Sequence, residues 1–445
     1  MTESPARLDE LEAFLATLSR EPDFEAPELQ PYDAADLLLL ERAAGLIAGG
    51  SVELLAGGLV VIGDRHGPRR SEQSDALRAV CPDPVSGSAD VSVGGLVVIG
   101  DRHGALTLGA AHILGATGIR VHQDPLLSER ALAANAERFG LAGSYENFPL
   151  GTELLRGAKI VLLQLPRSLA ELEEIAWNIA RFADAEVTIL AGGRDKHMSR
   201  GMNEIFSRFF AEVNASRGWR KARVLTVCGP LASRGAHANE KQGAFAGTGA
   251  GPADPRFPEQ TGDPDLSFQL FAFGATFGGA TLDHGSRLLL RTLREQPPAD
   301  RPTRIVDIGC GNGVLAVSAA LAYPEGEVIA SDQSAAAVAA TRLTATAAGV
   351  EDRVTVMRAD ASEAVPENWA NLVLLNPPFH AGATVHVGVG QRLIRSCFGA
   401  MAPGGELRLV FNTHLGYRQL IEREIGPTRQ LARDRTFTVL AATKR

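Results

Sequence analysis

The segment LVLLNPPFH, residues 372–380, carries the residue types best suited to chemistry on an amine. An apolar run ends in Asn376, and the two prolines after it lack a backbone N–H that could compete for the asparagine side chain. We therefore expect the Asn376 side-chain oxygen and the Pro377 carbonyl to form a rigid pair of acceptors. Such a pair could hold an exocyclic amine with its lone pair towards an incoming methyl group. Phe379 could stack on the base that carries the amine.

A glycine-rich turn in IVDIGCGNGVLA precedes this segment. Gly309, Gly311 and Gly313 leave room for a ligand next to the N-terminus of a helix, although a simple tight turn would also use glycines. Asp332 ends the next strand, where a carboxylate can accept hydrogen bonds from both ribose hydroxyls. Asp360 ends the third strand and could accept from an adenine amino group. The two acids indicate an adenosine-containing ligand, either NAD or S-adenosylmethionine.

The elements that would position these residues alternate between apolar strands and helices, from about residue 94 onwards. Strands that are apolar throughout indicate parallel sheets covered on both faces. Between them, a stretch rich in Gly, Ala and Pro has no apolar period and reads as a linker or long loop. We predict an α/β domain at 1–232, a linker at 233–265 and a second α/β domain at 266–445.

Several motifs resemble those of the bacterial ribosomal RNA guanine-N2 methyltransferases: VDIGCGNG, ASDQSAAAV, NPPFH and GGELRLVFNTHLGY. TFGGATLDHGSRLLL is similar to the segment that these enzymes place over the methionine end of the cofactor. The resemblance covers roughly residues 271–445 strongly and the earlier part weakly. Gly278 departs from it, because the family commonly has a serine there, which puts a polar contact from that position in doubt. The resemblance implies two Rossmann-like class I methyltransferase domains in tandem, the N-terminal one degenerate.

The resemblance also implies a reaction and its site. A methyl group would pass from S-adenosylmethionine to the exocyclic N2 amine of a guanine in 16S or 23S ribosomal RNA, as naked RNA or in a ribosomal subunit, without a metal or a covalent intermediate. The implied catalytic residues are Asn376, Pro377, Pro378 and Phe379. The implied cofactor-binding residues are Phe277, Asp307, Gly309, Cys310, Gly311, Asn312, Gly313, Asp332, Gln333, Asp360, Ala361 and Asn376.

Three alternatives share part of this pattern. A methyltransferase acting on DNA adenine N6 or on protein glutamine would keep the same cofactor, but a tyrosine more usually follows the two prolines in those groups. Phe379, His380 and the doubled domain favour ribosomal RNA guanine. A dinucleotide-dependent oxidoreductase would explain the glycine turn and Asp332, but not the Asn-Pro-Pro-Phe sequence. A noncatalytic RNA-binding scaffold is disfavoured because the second domain keeps every expected group.

The first domain can be aligned with the second, but it lacks the residues to which we assign chemistry. An offset of 208 residues places Asp332 on Asp124, and an offset of 212 places Asn376 on Gln164. At the first offset bulkier side chains replace the glycines: Gly309, Gly311 and Gly313 meet Asp101, His103 and Ala105. We therefore expect only the C-terminal copy to be catalytic.

The N-terminal domain also carries basic residues that could bind RNA, although a solvated charged face is an equally good explanation. The net charge of −8 argues against nonspecific coating of nucleic acid, but it does not exclude local basic patches. The candidates are Arg167, Arg194, Lys196, Arg200, Arg217, Arg220, Lys221 and Arg223.

Composition sets the remaining expectations. No apolar run approaches the ~20 residues that a bilayer requires, and the first residues do not resemble a signal peptide, so we expect a cytoplasmic protein without membrane contact, and a monomer. The four cysteines form no CxxC pair, and His284, His380 and His414 lack ligand spacing. No metal site is predicted.

The stretch GGLVVIGDRHG occurs twice, at 57–67 and 94–104. The second copy continues into a plausible helix and stands at the distance from Asp124 that the first strand of a domain requires. The first copy runs into a segment rich in Pro, Ser and charge. We interpret residues 57–93 as a duplicated insertion, because a solenoid needs at least three stacked units.

Overall fold

The computed structural model describes residues 5–23, 29–48, 95–231, 256–377 and 384–445. The chain divides into an N-terminal unit, with residues up to 123 and 128–256, and a C-terminal unit, with residues 124–127 and 257–445. The duplicated insertion at 57–93 lies outside the described residues. In the ranges that are described, no helix is long and apolar enough to cross a membrane.

The N-terminal unit contains one seven-stranded sheet in the order β3-β2-β1-β4-β5-β7-β6. Strands β1 to β5 are parallel, and β7 is antiparallel to both of its neighbours. The strands are β1 (Leu96–Ile99), β2 (Ile119–His122), β3 (Tyr145–Asn147), β4 (Ile160–Gln164), β5 (Thr188–Arg194), β6 (Phe210–Ala215) and β7 (Ala222–Pro230).

Helices cover both faces of this sheet, as continuous apolar strands require. The leucine-rich helix α2 lies directly on β5, since a Cβ added at Gly192 would come within 2.7 Å of the Leu39 side chain. The helices are α1 (Pro5–Leu15), α2 (Ala34–Ala48), α3 (Ala105–Leu114), α4 (Leu126–Arg138), α5 (Thr152–Leu155), α6 (Leu169–Phe182) and α7 (Arg200–Phe209).

The C-terminal unit repeats the same topology in a second seven-stranded sheet, with the order β12-β11-β10-β13-β14-β16-β15. A separate two-stranded sheet pairs β8 with β9. The strands are β8 (Glu259–Gly262), β9 (Gln269–Ala272), β10 (Arg304–Ile308), β11 (Glu327–Asp332), β12 (Val354–Arg358), β13 (Ala370–Leu375), β14 (Met401–Asn412), β15 (Thr428–Arg433) and β16 (Phe437–Thr443).

Its helices again pack on both faces, and the two core clusters are dominated by aliphatic side chains. The helices are α8 (His284–Glu295), α9 (Val314–Ala322), α10 (Ala335–Ala347), α11 (Thr384–Ala400) and α12 (Arg418–Glu424). The predicted fold class, two Rossmann-like methyltransferase domains in tandem, is confirmed by the shared strand order.

The structure differs from the expected linker at 233–265. Residues 259–262 form β8, which pairs with β9 in antiparallel register. EQTG, the sequence of β8, lacks an apolar period because the strand is mostly exposed. Residues 232–255 lie outside the described part of the chain.

Strand register corrects the offset between the two units. Ile308 of β10 pairs with Ser331, and Ile99 of β1 pairs with His122, which gives an offset of 209 residues. The predicted offset of 208 is therefore wrong by one residue, because matching two acids in the sequence does not fix the strand pairing. Gln123, not Asp124, corresponds to Asp332.

The corrected register keeps two of the three glycines. Gly100 and Gly104 take the places of Gly309 and Gly313, and all four have positive φ. Only Gly311 is replaced by a bulkier residue, Arg102. Gln164 still corresponds to Asn376, since Leu375 pairs with Ile308 as Leu163 pairs with Ile99.

Candidate functional site

The glycine turn between β10 and α9 has two functions. Gly309, Gly311 and Gly313 have φ values of 73°, 55° and 81°, which L residues rarely adopt. A Cβ at Gly309 or Gly311 would meet nothing within 4 Å, so this part of the turn borders open space. A Cβ at Gly313 would lie 3.0 Å from the Cα of Thr341, so this glycine allows α9 and α10 to pack closely.

Asp307 lies buried beneath the turn. Its Oδ2 accepts a hydrogen bond from the Ala316 backbone N–H at 2.9 Å, which anchors the first turn of α9. Its Oδ1 is buried and has no partner in the described part of the protein. Burial raises the pKa of this carboxyl to about 7. An unpartnered oxygen on such a group is suited to a cationic or hydrogen-bond-donating ligand.

Asp332 joins the end of β11 to the glycine turn. Its two carboxylate oxygens accept from the backbone N–H groups of Gly311, at 3.0 Å, and Ser334, at 2.9 Å. Burial raises the pKa of Asp332 although both hydrogen bonds act in the opposite direction. The carboxylate is thus fixed at the edge of the turn, where the sequence predicted it.

Asp360 and Ala361 follow β12. The Asp360 carboxylate forms a close ion pair with Arg392 of α11. Ala361 has a φ of 51°, and its carbonyl accepts from the Ser331 hydroxyl at 3.0 Å. An adenine amino group at Asp360 would therefore share the carboxylate with a guanidinium, which the sequence pattern did not indicate.

Cys310 and Asn312 point into the protein. The Cys310 thiol is buried and receives a hydrogen bond from Thr341 at 3.2 Å, and burial raises its pKa well above the usual range. The Asn312 side chain donates to the carbonyls of Gly279, at 3.0 Å, and Thr281, at 2.9 Å. It also accepts from the backbone of α9. Asn312 thus connects the glycine turn to the segment that precedes α8.

Two further expected cofactor residues lie at the edges of this region. Phe277, at the start of the segment held by Asn312, is 58% exposed. Gln333 follows β11 with a half-buried side chain, and its carbonyl accepts from the Arg358 side chain at 3.2 Å. Phe277 precedes Gly279 and Thr281, whose carbonyls accept from the Asn312 side chain.

Asn376 directly follows β13, and its side-chain amide is held in one orientation. The Nδ2 donates to the Ser286 hydroxyl at 2.8 Å and to both carboxylate oxygens of Asp283 at 3.3 Å. The opposite orientation would place the amide oxygen against a carboxylate, which repels it. The Oδ1 atom is buried without a partner in the described chain. The site therefore presents one oriented acceptor at Asn376, and the second predicted acceptor, the Pro377 carbonyl, stays a prediction.

Asp283 and Ser286, which hold Asn376, are functional residues that the sequence motifs did not indicate. Asp283 is the N-cap of α8, where its side chain accepts from the Ser286 backbone N–H at 3.0 Å. A Cβ at Gly285 would lie 3.5 Å from the Asn376 Oδ1. The signal was present in LDHGS: an aspartate three residues before a serine at the start of a helix, with a glycine between them.

The rest of the predicted catalytic motif is only partly described. Pro377 is buried next to Asn376. Pro378, Phe379 and His380 lie outside the described residues. Stacking by Phe379 therefore stays a prediction.

The predicted RNA-binding residues fall into two groups in the N-terminal unit. Arg167, Arg194 and Lys196 line one cavity of about 440 Å³, and Arg200 begins the nearby α7. The others are exposed near the turn between β6 and β7: Arg217, Arg220 and Lys221 lie in the turn, and Arg223 lies at the start of β7.

Ion pairs engage two members of the second group. Arg220 contacts the Glu12 carboxylate at 2.8 Å and lies over the Trp219 ring at 4.5 Å. Arg223 lies 3.5 Å from the carboxylate of Asp195. These two side chains are therefore less available to a phosphate than Arg217 and Lys221.

No group of three or more potential metal-ligating side chains occurs in the described ranges. Of the histidines considered above, His284 contacts the Asp434 carboxylate at 2.8 Å, and His414 contacts the Asn412 side chain at 2.8 Å. Both act as local hydrogen-bonding groups.

Two sheets of this strand order, one with a glycine turn after its first strand and an asparagine after its fourth, define a duplicated class I methyltransferase fold. The methyltransferase small domain family matches residues 268–441, and the RLMG N-terminal domain family matches residues 85–230. The C-terminal match contains the whole candidate site.

Similar proteins extend the match over nearly the whole chain. Ribosomal RNA large subunit methyltransferase G of Streptomyces avermitilis is 30% identical over 96% of this chain and 97% of its own length. The Streptomyces coelicolor protein of the same name is 31% identical over 72% of this chain and 81% of its own. The chain belongs to the ribosomal RNA large subunit methyltransferase G family. The predicted enzyme class and the predicted relationship to ribosomal RNA methyltransferases are confirmed.

One solved structure supports the same fold. The T. thermophilus 16S rRNA N2 methyltransferase RsmC, determined in complex with AdoMet and guanosine, aligns with a TM-score of 0.60. The alignment covers 79% of this chain and 88% of that one, at 20% identity. At this identity the comparison establishes the fold of the tandem units.

Proposed function

We propose that the C-terminal unit transfers a methyl group from S-adenosylmethionine to the N2 amine of a guanine in 23S ribosomal RNA. The observation that carries the proposal is the buried, unpartnered Oδ1 of Asn376, oriented by Asp283 and Ser286. Family membership favours the large-subunit RNA over the small-subunit RNA, since the relatives named above are large subunit methyltransferases.

The described residues fit S-adenosylmethionine. Gly309 and Gly311 border open space, Asp307 has an unpartnered buried oxygen, and Asp332 holds a carboxylate at the edge of the turn. We assign the cofactor to these residues, with Asp360 and Ala361 as the adenine side and Phe277 at the methionine side. When bound, the cofactor supplies an electrophilic methyl group on a sulfonium.

The protein contributes orientation and dipoles. The Oδ1 of Asn376 and the carbonyl oxygen of Pro377 accept hydrogen bonds from the two N–H groups of the amine and fix its plane. These hydrogen bonds strengthen as positive charge develops on the nitrogen, so they stabilise the transition state more than the ground state. Phe379 would stack on the guanine ring, and the nitrogen loses a proton to solvent after transfer.

The N-terminal unit is proposed to bind the RNA without methylating it. We assign RNA binding to the predicted domain at 1–232 and catalysis to the predicted domain at 266–445. Support comes from the exposed basic residues Arg167, Arg194, Lys196 and Arg200, and from the loss of Gly311 and Asp332 in the corrected alignment.

Nucleoside mass mapping tests the proposal. The purified protein would be incubated with isotopically labelled S-adenosylmethionine and with separate 16S and 23S RNA from cells that lack the active protein. We expect labelled N2-methylguanosine in 23S RNA alone. Label in N6-methyladenosine, or in protein glutamine after incubation with ribosomal proteins, would support the alternative acceptors.

A further inference from the structure

The N-terminal unit retains an oriented amide at the position of Asn376. The Gln164 Nε2 donates to the Asp36 carboxylate at 2.8 Å, and the Gln164 Oε1 is buried without a partner in the described chain. Asp36 is the third residue of α2, just as Ser286 is the third residue of α8. The acceptor and the helix that anchors it are therefore both preserved in the unit whose turn has Arg102 in place of Gly311.

In this unit, side chains occupy the region that corresponds to the cofactor site of the C-terminal unit. His103, at the position of Asn312, is buried, and its ring nitrogens contact the Pro31 carbonyl and the Asp23 carboxylate, each at 3.2 Å. Arg102 replaces Gly311, and Gln123 replaces Asp332. Methyl transfer in this unit is thus not expected, although the acceptor half remains open.

A cavity of about 440 Å³ lies at the open half, within the range of roughly 300–1,000 Å³ typical of small-molecule sites. Gln164 and cationic side chains line it together. The charged lining residues are Arg20, Asp33, Arg102, Arg167, Arg194 and Lys196.

The charge of this cavity is strongly positive. Arg20 pairs with Asp23, but no ion pair of Arg102, Arg167, Arg194 or Lys196 occurs within the described ranges. Burial and then these four cations lower the pKa of the neighbouring His197. A cationic cavity next to an unpartnered amide oxygen is complementary to a nucleotide, which carries an anionic phosphate and N–H or O–H donors.

We propose that this cavity binds one unstacked nucleotide of the RNA substrate, with the phosphate on the cations and a base amine or a ribose hydroxyl on the Gln164 Oε1. The inference rests on the proposed function, because it assigns a second contact for the same RNA. The N-terminal unit would then grip one nucleotide while the C-terminal unit methylates another.

The test uses full-length Arg102→Gln/Arg167→Gln and a matched control, Arg156→Gln/Arg181→Gln, whose arginines are exposed and outside the cavity. The affinity for a fluorescein-labelled 12-nucleotide single-stranded RNA is measured against salt concentration by anisotropy. The slope of the logarithm of the binding constant against the logarithm of the salt concentration should fall in magnitude by roughly one unit in the cavity variant. The control should keep the wild-type slope. Equal slopes in the cavity variant and the wild type would overturn the proposal.

A second arm separates RNA from a free nucleotide. Guanosine and adenosine 5′-monophosphates are titrated against the protein–RNA complex. Displacement of the RNA from the wild type, reduced in the cavity variant, supports the proposal. Saturable binding of the mononucleotide that leaves the RNA in place would overturn it, because the cavity would then serve a free ligand.

Methylation assays keep the two proposals distinct. If the wild type methylates 23S RNA while the cavity variant binds RNA normally, the cavity proposal fails and the proposed function stands. If the cavity variant binds RNA weakly but the wild type forms no N2-methylguanosine, the proposed reaction fails and the nucleotide site stands.

Discussion

The Asn376 Nδ2 donates to the Ser286 hydroxyl at 2.8 Å, so that the other end of the same amide remains a buried acceptor without a partner. Strand β13 ends at this amide, and helix α8 begins at its anchor. The candidate acceptor site is thus built where two elements meet, and its geometry depends on both.

Asn376→Ala should abolish most methyl transfer while leaving S-adenosylmethionine binding intact. Removing one oriented polar group of this kind costs about 3–4 kcal/mol in the transition state, which corresponds to roughly 10²–10³-fold in kcat. Calorimetric titration and single-turnover kinetics separate the two effects. Asn371→Ala, at the other end of β13, is the control. Normal turnover by Asn376→Ala would contradict the catalytic role assigned to this residue.

Ser286→Ala should act through Asn376. Losing one hydrogen bond of about 1 kcal/mol leaves the amide less firmly oriented, so kcat should fall by about fivefold while the KM for S-adenosylmethionine is unchanged. Ser286→Thr, which keeps the hydroxyl, should recover part of the rate. A change confined to KM would argue for a cofactor role instead.

Asp307 should make stability depend on pH. Its folded pKa of about 7 exceeds the ordinary value of 3.8, so the folded protein binds the proton more tightly than the unfolded chain. The free energy of unfolding should therefore fall as the pH rises from about 4 to about 7 and then level off, with an upper bound of about 4 kcal/mol. In urea unfolding experiments, the free energy of unfolding of Asp307→Asn should not show this fall between pH 4 and pH 7. An identical profile for both proteins would contradict the assignment.

Gly311→Ala and Gly313→Ala should have different consequences. At Gly313 the new Cβ would lie 3.0 Å from the backbone of Thr341, so this variant should lose more stability. At Gly311 the Cβ enters open space, so beyond a strain of roughly 1–2 kcal/mol the main effect should be weaker binding of S-adenosylmethionine. Thermal melts and cofactor titration of both variants test this, and the reverse order would refute it.

Arg408→Met should destabilise the C-terminal unit by about 3–5 kcal/mol. Arg408 is fully buried in β14, contacts Glu406 at 2.6 Å, and donates to the carbonyls of Thr292 and Gln296 near the end of α8. Its loss removes a buried donor from both carbonyls and leaves the Glu406 carboxylate with Arg429 at 3.9 Å. Arg291→Met, on the exposed side of α8, should change the unfolding midpoint little.

Much of the site could be predicted from the sequence because strand ends and glycine turns have local signatures. Asp332 and Asn376 are placed at strand ends as expected. The anchor of Asn376 was missed because Asp283 is about ninety residues away in the chain, and only the packing of α8 brings it to β13. The N-cap pattern in LDHGS indicates where α8 begins, but it does not indicate that Asp283 and Ser286 reach Asn376.

The one-residue error in the offset between the units has a physical origin. The sequence match favoured Asp124 as the equivalent of Asp332, since residue type was the criterion. Backbone pairing follows hydrogen bonds, which placed Gln123 there. With Gly100 and Gly104 in the turn, the N-terminal unit keeps the backbone path, while Arg102 and Gln123 replace Gly311 and Asp332.

That preserved backbone path bears on how each half responds to supply of the methyl donor. In the N-terminal turn the Asp101 carboxylate accepts from the backbone N–H groups of Leu106, at 3.1 Å, and Thr107, at 2.7 Å, at the start of α3. This half therefore holds a carboxyl of its own beneath the turn, and with Arg102 and Gln123 in place of Gly311 and Asp332 we do not expect it to bind the methyl donor. Stabilisation by the methyl donor should therefore fall on the C-terminal half alone. When the donor is scarce, the N-terminal half should keep its stability, while the C-terminal half becomes the more labile one.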